Sequence, residues 1–411
     1  MESKGLKETA LIGADTQVDA TPSGEASNKE LESFGWHPIY AISTVVVRAL
    51  MRIEAARAVV EHTPLPPSAA EELRRRARLK STHFSTRIEG NRLTLEETEQ
   101  VLSGKNLRLI GRERDVREVK NYWNAFLYME DCVSKQRSLT DSLIQRLHAM
   151  IEKNVKAKPT PYRDGQNVIR DASTGRIVYL PPMSQDVPKL MKELIEWCDQ
   201  ALKQDLPVPL IAGLLHYQFV TIHPFYDGNG RTARLLATYL LHIGGYGLNG
   251  IFSLEEHHAI DLDAYYAALS TQPHHNYYEG RAETDLTRWL EYFVSTMSRV
   301  FSIAEEEALR IVREGAPPEP DLLRKLDART RRIFSLFAKS ETIAARDVAT
   351  LFGISDRAAR ALMQTLPIER ECTLYRKFIG KSSEVYRKLS KSRLNVFLNR
   401  RHPVGKYSFK F

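Results

Sequence analysis

The stretch HPFYDGNGRTAR, residues 223–234, places a histidine, a carboxylate, a glycine turn and two arginines in one short segment. Gly228 and Gly230 allow positive φ, so the backbone can turn tightly and direct successive N–H groups into one concavity. A helix predicted to begin near Asn229 adds the positive end of its dipole at the same point. This pattern predicts a binding site for an anion.

Two arginines, an aspartate and a histidine extend this interpretation. Arg231 and Arg234 stand three residues apart at the helix start, where they can hold phosphate oxygens in a bidentate manner. We expect an anion between the two guanidinium groups, because they would otherwise repel one another. Asp227 adds a carboxylate of the kind that binds Mg²⁺ together with phosphates. His223 precedes the turn, where its imidazole can serve as a general base toward a hydroxyl group.

Each element of the segment also has a purely structural interpretation, because a His-Pro-Phe run, a glycine turn and solvated arginines are each common in proteins without forming a binding site. Phe225 is expected in the core. A metal site formed by His216, His223, Asp227 and His242 is a further alternative, although no pair of them has a recognised zinc spacing. The full set of elements in this order is hard to explain as a coincidence.

The composition is that of an ordinary globular protein, with 411 residues, 43% apolar and 27% charged side chains. No apolar run approaches the length of a membrane-spanning helix, and residues 1–17 lack the apolar region of a secretory signal. We therefore expect no membrane association and a cytoplasmic location. The cysteines are far apart in the sequence and suggest neither a disulfide framework nor a zinc site; they are Cys132, Cys198 and Cys372.

Apolar residues recur at helical spacing from Trp36 through most of the first two hundred residues, which predicts a mainly α-helical fold. Gly90 is expected to cap one helix, and Thr94 with Glu97 forms a capping box at the start of the next. Within this helical chain, residues 162–183 contain NVI and RIVYL on either side of the turn-forming DASTG. They predict a small β-hairpin, with a surface loop between helices as the alternative.

The basic charge is concentrated near the C-terminus, where residues 321–411 carry 21 Lys and Arg against 8 Asp and Glu. Here two short helices flank a glycine-containing turn, with Ser355 as the N-cap of the second. This layout is typical of a helix-turn-helix. Arg357 and Arg360 would lie nearest to DNA bases, and recognition of a target protein is the competing role.

Residues 223–234 match in full the signature of the Fic family, HPFx(D/E)GNGRxxR, and the resemblance extends over roughly residues 85–300. The resemblance implies transfer of AMP from ATP to a Ser, Thr or Tyr hydroxyl of a target protein. It also implies that His223 deprotonates the hydroxyl, Asp227 binds Mg²⁺ and Arg234 holds the γ-phosphate.

The same resemblance assigns roles to residues around the nucleotide and the target. The positions that would hold the α- and β-phosphates are Gly228, Asn229, Gly230 and Arg231. The aromatic residues beside the adenine would be Tyr265 and Tyr266. The hairpin resembles the family's flap, which docks the target segment as an added strand through Ile177, Val178 and Tyr179.

STRIEG, residues 85–90, resembles the family's inhibitory motif (S/T)xxxE(G/N). Ser85 and Glu89 are four residues apart and therefore face one side of a helix. The resemblance implies that Glu89 pairs with Arg234, which denies the γ-phosphate its anchor and leaves the α-phosphorus badly placed for attack. A helix-terminal glutamate beside the capping Gly90 is the structural alternative.

These features predict a mainly α fold with a Fic helical core, a small β-hairpin flap and a C-terminal winged helix-turn-helix whose wing is expected at 374–386. The predicted segments are a disordered leader at 1–32, an N-terminal helical region with the inhibitory motif at 33–110, a Fic core at 111–310, a linker at 311–325 and a basic winged-helix-like domain at 326–411.

The leading functional hypothesis is an autoinhibited protein adenylyltransferase that uses ATP and Mg²⁺ and also labels itself. The alternatives are removal of AMP through Glu89 and a DNA-binding regulator whose Fic fold senses nucleotides; a homodimer is one candidate assembly.

Overall fold

The computed structural model of the chain describes residues 35–104, 110–170, 175, 177–270, 275–314, 342–352, 354–365 and 408–410. The predicted leader, the predicted wing and most of the predicted linker lie outside these ranges. The described chain is mainly α-helical, which confirms the predicted fold class. None of the described helices combines the length and the apolarity needed to cross a membrane.

The larger part of the described chain consists of helices and one hairpin. The helices before the hairpin are α1 (Thr44–His62), α2 (Pro67–Ile88), α3 (Leu95–Leu102), α4 (Glu113–Ser134) and α5 (Asp141–Glu152). The hairpin pairs β1 (Ile169–Arg170) with β2 (Ile177–Tyr179) in antiparallel order, as the sequence predicts. The helices after the hairpin are α6 (Val187–Lys203), α7 (Val208–Ile222), α8 (Asn229–Ile243), α9 (Leu254–Ile260), α10 (Leu262–Leu269) and α11 (Thr287–Glu314).

Helix α2 ends where the sequence predicts. Gly90 has φ +90°, its N–H donates to the Arg87 carbonyl, and the N–H of Asn91 donates to the Thr86 carbonyl. This is a Schellman motif, which satisfies the last carbonyls of the helix and needs a residue that tolerates positive φ. The predicted capping box at the start of α3 is also present. The end of α2 is thereby held in one conformation, with Glu89 as its C-cap residue.

Helices α7 and α8 form the centre of the molecule. Almost every residue of α7 is buried, as expected for a helix that is apolar around its whole circumference. It ends at Ile222 because Pro224 disfavours a helical conformation in the residue before it, and His223 instead has φ +52°. Helix α8 begins after Gly228, whose φ is +77°. Residues 223–228, the motif loop, therefore connect two buried helices.

One hydrophobic core extends from Trp36 to Ile311. Helix α1 packs along α11, so the predicted N-terminal region and the predicted Fic core share this core. Helix α11 continues into the predicted linker as far as Glu314, because Ile311 is still buried and Arg310 forms an ion pair with Glu314 at 2.6 Å. The division of the chain into these segments stays a prediction.

A second, smaller group of elements lies near the C-terminus. It contains β3 (Thr342–Ala344), α12 (Ala345–Phe352), α13 (Asp356–Thr365) and β4 (Ser408–Lys410), and β3 pairs with β4 in antiparallel order. Helices α12 and α13 pack around a small cluster of buried residues. The hydroxyl of Ser355 accepts from the N–H of Ala358, as expected of the predicted N-cap. The two helices are consistent with the predicted helix-turn-helix.

Candidate active site

The motif loop is braced from within and from α5. Phe225 is buried, as predicted, and stacks on the His148 ring with 3.7 Å between ring centroids. The Asn229 side chain accepts from the Phe225 N–H at 3.0 Å and donates to the Phe225 carbonyl at 2.8 Å. These bonds use the amide of Asn229 within the loop. Its predicted contribution to phosphate binding is therefore limited to its backbone at the start of α8.

His223 is held in a form that can accept a proton. Its Nδ1 lies 3.2 Å from the carbonyl of Val220. Because a carbonyl only accepts, Nδ1 carries the hydrogen and the lone pair remains on Nε2. Burial lowers the pKa of His223 to about 4, so the imidazole is neutral near pH 7. A neutral imidazole is the protonation state that general-base catalysis requires.

Asp227 presents its carboxylate beside the start of α8. Its Oδ1 accepts from the N–H of Gly228 at 2.7 Å, and its side chain is 66% exposed. The Asp227 carbonyl accepts from Nε2 of His148 at 2.7 Å, which fixes the backbone. An accessible carboxylate fits Mg²⁺, which is often bound by one or two carboxylates together with substrate phosphates. Within the described ranges no cluster of three or more His, Cys, Asp or Glu side chains could hold a metal ion by itself.

Arg231 forms a buried ion pair that the sequence analysis missed. Its Nη2 lies 2.7 Å from Oε1 of Glu152, at the end of α5, and 3.6 Å from Oδ1 of Asp227. A methyl group on Gly228 would overlap the Glu152 carboxylate. Glu152 and His148 are four residues apart on α5 and both reach the motif loop. Their helical spacing predicts that they share one face of α5, but it does not identify the motif loop as their neighbour.

Arg234 is held by two residues of the STRIEG segment, residues 85–90. It donates from Nε to the Ser85 hydroxyl at 3.1 Å and from Nη2 to the Ser85 carbonyl at 2.9 Å and to Oε1 of Glu89 at 2.8 Å. Burial lowers the pKa of Arg234, but the Glu89 carboxylate and neighbouring groups outweigh this effect and leave the pKa above its ordinary value. A methyl group on Gly230 would overlap the Glu89 carboxylate. A carboxylate therefore lies at the start of α8, where the sequence predicts an anion.

The two arginines form ion pairs with different carboxylates, and an anion held between them stays a prediction. Arg231 pairs with Glu152, and Arg234 pairs with Glu89. The motif sequence by itself indicates no carboxylate partner for either guanidinium group. The carboxylates that neutralise them come from α5 and from the end of α2, which are distant in the chain.

Comparison with known proteins agrees with this geometry. Residues 138–241 match the sequence profile of the Fic/DOC family. The chain carries a Fic domain. It is 29% identical over 206 residues to the protein adenylyltransferase Fic of Drosophila willistoni and 31% identical over 180 residues to that of Drosophila mojavensis. These matches cover 50% and 44% of this chain but only 40% and 34% of the two relatives.

Solved structures show the same fold. A Fic family protein from Desulfovibrio desulfuricans G20 superposes with a TM-score of 0.55 at 22% identity, over 79% of this chain and 89% of that one. A Fic domain containing signaling protein from Bacteroides thetaiotaomicron also gives 0.55, at 24% identity, over 64% and 97%. The likeness therefore extends beyond residues 138–241 and includes helices on both sides of the matched segment.

The flap of the Fic domain divides into an exposed and an anchored part. Ile177 and Val178 are exposed, whereas Tyr179 is buried and its hydroxyl donates to the Thr221 carbonyl at 2.8 Å. Two of the three predicted docking residues can therefore meet a target, and the third fixes the flap to the end of α7.

Two of the looser predictions are corrected. Tyr265 is 1% exposed and its hydroxyl lies 3.1 Å from Nε2 of His216 within the core, so it cannot stack on an adenine; Tyr266, 46% exposed, can. The alternative metal site is also wrong. His216 is held by Tyr265, His242 packs near Phe252, and no metal-binding cluster occurs among the residues that the structure describes.

Proposed function

We propose that the protein is an autoinhibited protein adenylyltransferase, which transfers AMP from ATP to a Ser, Thr or Tyr hydroxyl of a target protein and of itself. The observation that carries this proposal is the arrangement around the motif loop. A neutral histidine with an available Nε2, an accessible carboxylate and a glycine-rich helix start lie on one short connection between buried helices. These are the groups that activation of a hydroxyl and binding of a triphosphate require.

In the proposed reaction Nε2 of His223 takes the proton of the target hydroxyl while that oxygen attacks the α-phosphorus. The new oxygen–phosphorus bond forms as the bond to the bridging oxygen of the β-phosphate breaks, and pyrophosphate leaves. Asp227 would hold Mg²⁺, which supplies charge neutralisation at the phosphates. Arg231 and the backbone of Gly228 to Gly230 would hold the α- and β-phosphates, and Arg234 the γ-phosphate.

The position of Glu89 supports the autoinhibition in this proposal. Its carboxylate occupies the space against Gly230 and neutralises Arg234, so a γ-phosphate would find its anchor already paired. ATP bound without that anchor would present its α-phosphorus poorly, and a misplacement of about 1 Å can cost on the order of 100-fold in rate.

The reverse reaction is a second candidate, because the Glu89 carboxylate is close enough to His223 to raise its pKa against the larger effect of burial. In that reaction Glu89 would orient a water molecule toward the phosphorus of an AMP-modified protein. The two directions are distinguished by whether removal of Glu89 increases AMP transfer or abolishes AMP release.

DNA binding by the C-terminal helices α12 and α13 is a further hypothesis. Arg357 and Arg360 are exposed on α13, as base or phosphate contacts would require. If this module binds duplex DNA, the affinity of the full-length protein should fall steeply between low and physiological salt. A homodimer and a cytoplasmic location likewise stay predictions from the sequence.

The proposed function is tested by incubating the full-length protein with α-labelled ATP and cell lysate. We expect label on protein bands from the Glu89→Gly variant and no label from Glu89→Gly with His223→Ala, although both should bind ATP similarly by calorimetry. ATP labelled at the γ-position should transfer no label, which excludes phosphorylation. Equal labelling with and without His223 would contradict the general-base role, and labelling from γ-labelled ATP would contradict AMP transfer.

A further inference from the structure

Arg163 is a buried arginine at the base of the flap. Arg163 as a whole is 3% exposed to solvent. The guanidinium donates from Nε to the His223 carbonyl at 3.0 Å, from Nη1 to the Gly165 carbonyl at 3.1 Å and from Nη2 to the Pro182 carbonyl. Burial lowers its pKa, whereas the pKa of Arg234, which pairs with a carboxylate, is raised. The buried positive charge of Arg163 therefore interacts with backbone carbonyls of three chain segments.

The three segments are the two ends of the flap and the motif loop. Gly165 precedes β1, Pro182 follows β2, and His223 begins the loop. The backbone N–H of Arg163 also donates to the Pro224 carbonyl at 2.9 Å. One residue therefore binds two successive carbonyls of the motif loop and both ends of the hairpin.

These bonds belong to a larger pattern at the end of α7, where carbonyls have no helical partner. The flap segment provides a donor to four of the five residues from Thr221 to Phe225. Tyr179 donates to the Thr221 carbonyl, Arg163 to those of His223 and Pro224, and Asn167 to that of Phe225. A positive charge at the C-terminal end of a helix is also favourable to the helix dipole.

We propose that Arg163 is a positioning residue for His223: it holds the His223 carbonyl, and through it the imidazole, in register with the flap that receives the target. The proposal rests on the proposed function, because it assigns to Arg163 the alignment of the general base with a target hydroxyl docked on the flap. His223 has φ +52°, a conformation that is unfavourable for a non-glycine residue and persists only where surrounding contacts impose it. The planar fork of a guanidinium can satisfy several carbonyls at once, which an ammonium group cannot do in the same geometry.

The charge of Arg163 has a second consequence. After burial and the Val220 hydrogen bond, the charged groups that act on His223 are Arg163, which lowers its pKa, and Glu89 and Asp227, which raise it. In a Glu89→Gly background one of the two opposing carboxylates is absent. Arg163 is then opposed by Asp227 alone among these carboxylates, and burial together with Arg163 keeps the imidazole neutral and able to accept a proton.

The test compares Arg163→Lys and Arg163→Met in the full-length Glu89→Gly protein. Arg163→Met removes both the fork and the charge, and kcat for AMP transfer should fall by about 100-fold or more. KM for ATP should change by less than about threefold, since the Arg163 guanidinium is engaged by backbone carbonyls and has no assigned role in nucleotide binding. Arg163→Lys keeps the charge, and we expect an intermediate fall of about tenfold. Arg146→Lys is the matched control, because Arg146 also donates to backbone carbonyls, those of Val155 and Ala157, away from the motif loop; kcat should stay within about twofold.

A spectroscopic measurement separates positioning from a general loss of structure. In protein with isotope-labelled histidine, the His223 resonance is identified by its absence in His223→Ala and titrated in each variant. The midpoint should rise by about one pH unit in Arg163→Met and stay near that of the parent in Arg163→Lys. A purely structural role predicts equal losses of stability and activity in both variants with no such difference in midpoint.

Three results would overturn the proposal: kcat unchanged in Arg163→Met, a fall in kcat matched by the Arg146→Lys control, or failure of even Arg163→Lys to fold. If the Glu89→Gly parent transfers no AMP at all, the proposed function fails. The His223 midpoints in the three proteins then still decide whether Arg163 sets the state of that histidine.

Discussion

Replacing Glu89 with glycine should have opposite effects on the stability and the activity of the protein. Glu89 is 31% exposed in its side chain and accepts a hydrogen bond of 2.8 Å from Arg234, whose side chain is 2% exposed. Hydrogen bonds to charged groups contribute roughly 1.5–3 kcal/mol. The free energy of unfolding of the nucleotide-free protein should therefore fall by about 2 kcal/mol, although Arg234 retains its bonds to Ser85.

The activity should rise because the same change vacates the space against Gly230 and leaves Arg234 available to a γ-phosphate. We expect AMP transfer to increase at least about tenfold, which corresponds to about 1.4 kcal/mol of barrier. ATP should also stabilise Glu89→Gly more than the parent. At a concentration of 100 times Kd, ligand binding adds about 2.7 kcal/mol, enough to compensate the loss of the ion pair.

The assays are chemical denaturation with and without Mg·ATP and the rate of labelling from α-labelled ATP. Glu89→Gln serves as a shape-matched control that keeps an acceptor for Arg234 but lacks the charge, so both effects should be smaller. Combining Glu89→Gly with Arg234→Ala should abolish most of the gain. Labelling no faster than in the parent would refute autoinhibition by Glu89, and loss of AMP release in its place would assign Glu89 to the reverse reaction.

Two further predictions follow from the charged groups of the site. Because burial lowers the pKa of His223 to about 4 and a general base must be neutral, AMP transfer by Glu89→Gly should stay above half of its maximum down to about pH 5. A pH–rate profile that reaches half-maximum near 6.5, the ordinary value for histidine, would contradict this assignment. Glu152→Gln should lower the free energy of unfolding by about 1.5–3 kcal/mol, because it leaves the buried Arg231 with only the longer contact of 3.6 Å to the Asp227 carboxylate. Glu314→Gln, which breaks an exposed pair with Arg310, should change it by less than about 1 kcal/mol in the same denaturation experiment, and equal effects would show that burial of the Arg231 pair is unimportant.

Features that depend on neighbouring residues were predictable from the sequence. The Schellman end of α2, the capping box of α3, the hairpin and the helix that begins at Asn229 all follow from residues within a few positions of one another. Steric limits on φ and local hydrogen bonds determine these elements, and both depend on which residue types follow one another in the sequence. The full motif at 223–234 is of the same kind, because its chemistry is contained in one contiguous segment.

The partners of the charged groups were decided by the tertiary structure. Ser85 and Arg234 are 149 residues apart in the chain, and His148 and Asp227 are 79 apart. Glu152 faces Arg231, and Tyr265 lies inside the core, only because α5 and α10 pack in one particular way around α7 and α8. Periodicity shows that a helix has a buried face, but it does not specify the neighbour of that face. The pairing of Glu89 with Arg234 was predicted from the family resemblance. The pairing of Arg231 with Glu152 is set by the packing of the helices, and the order of residues near either partner carries no signal for it.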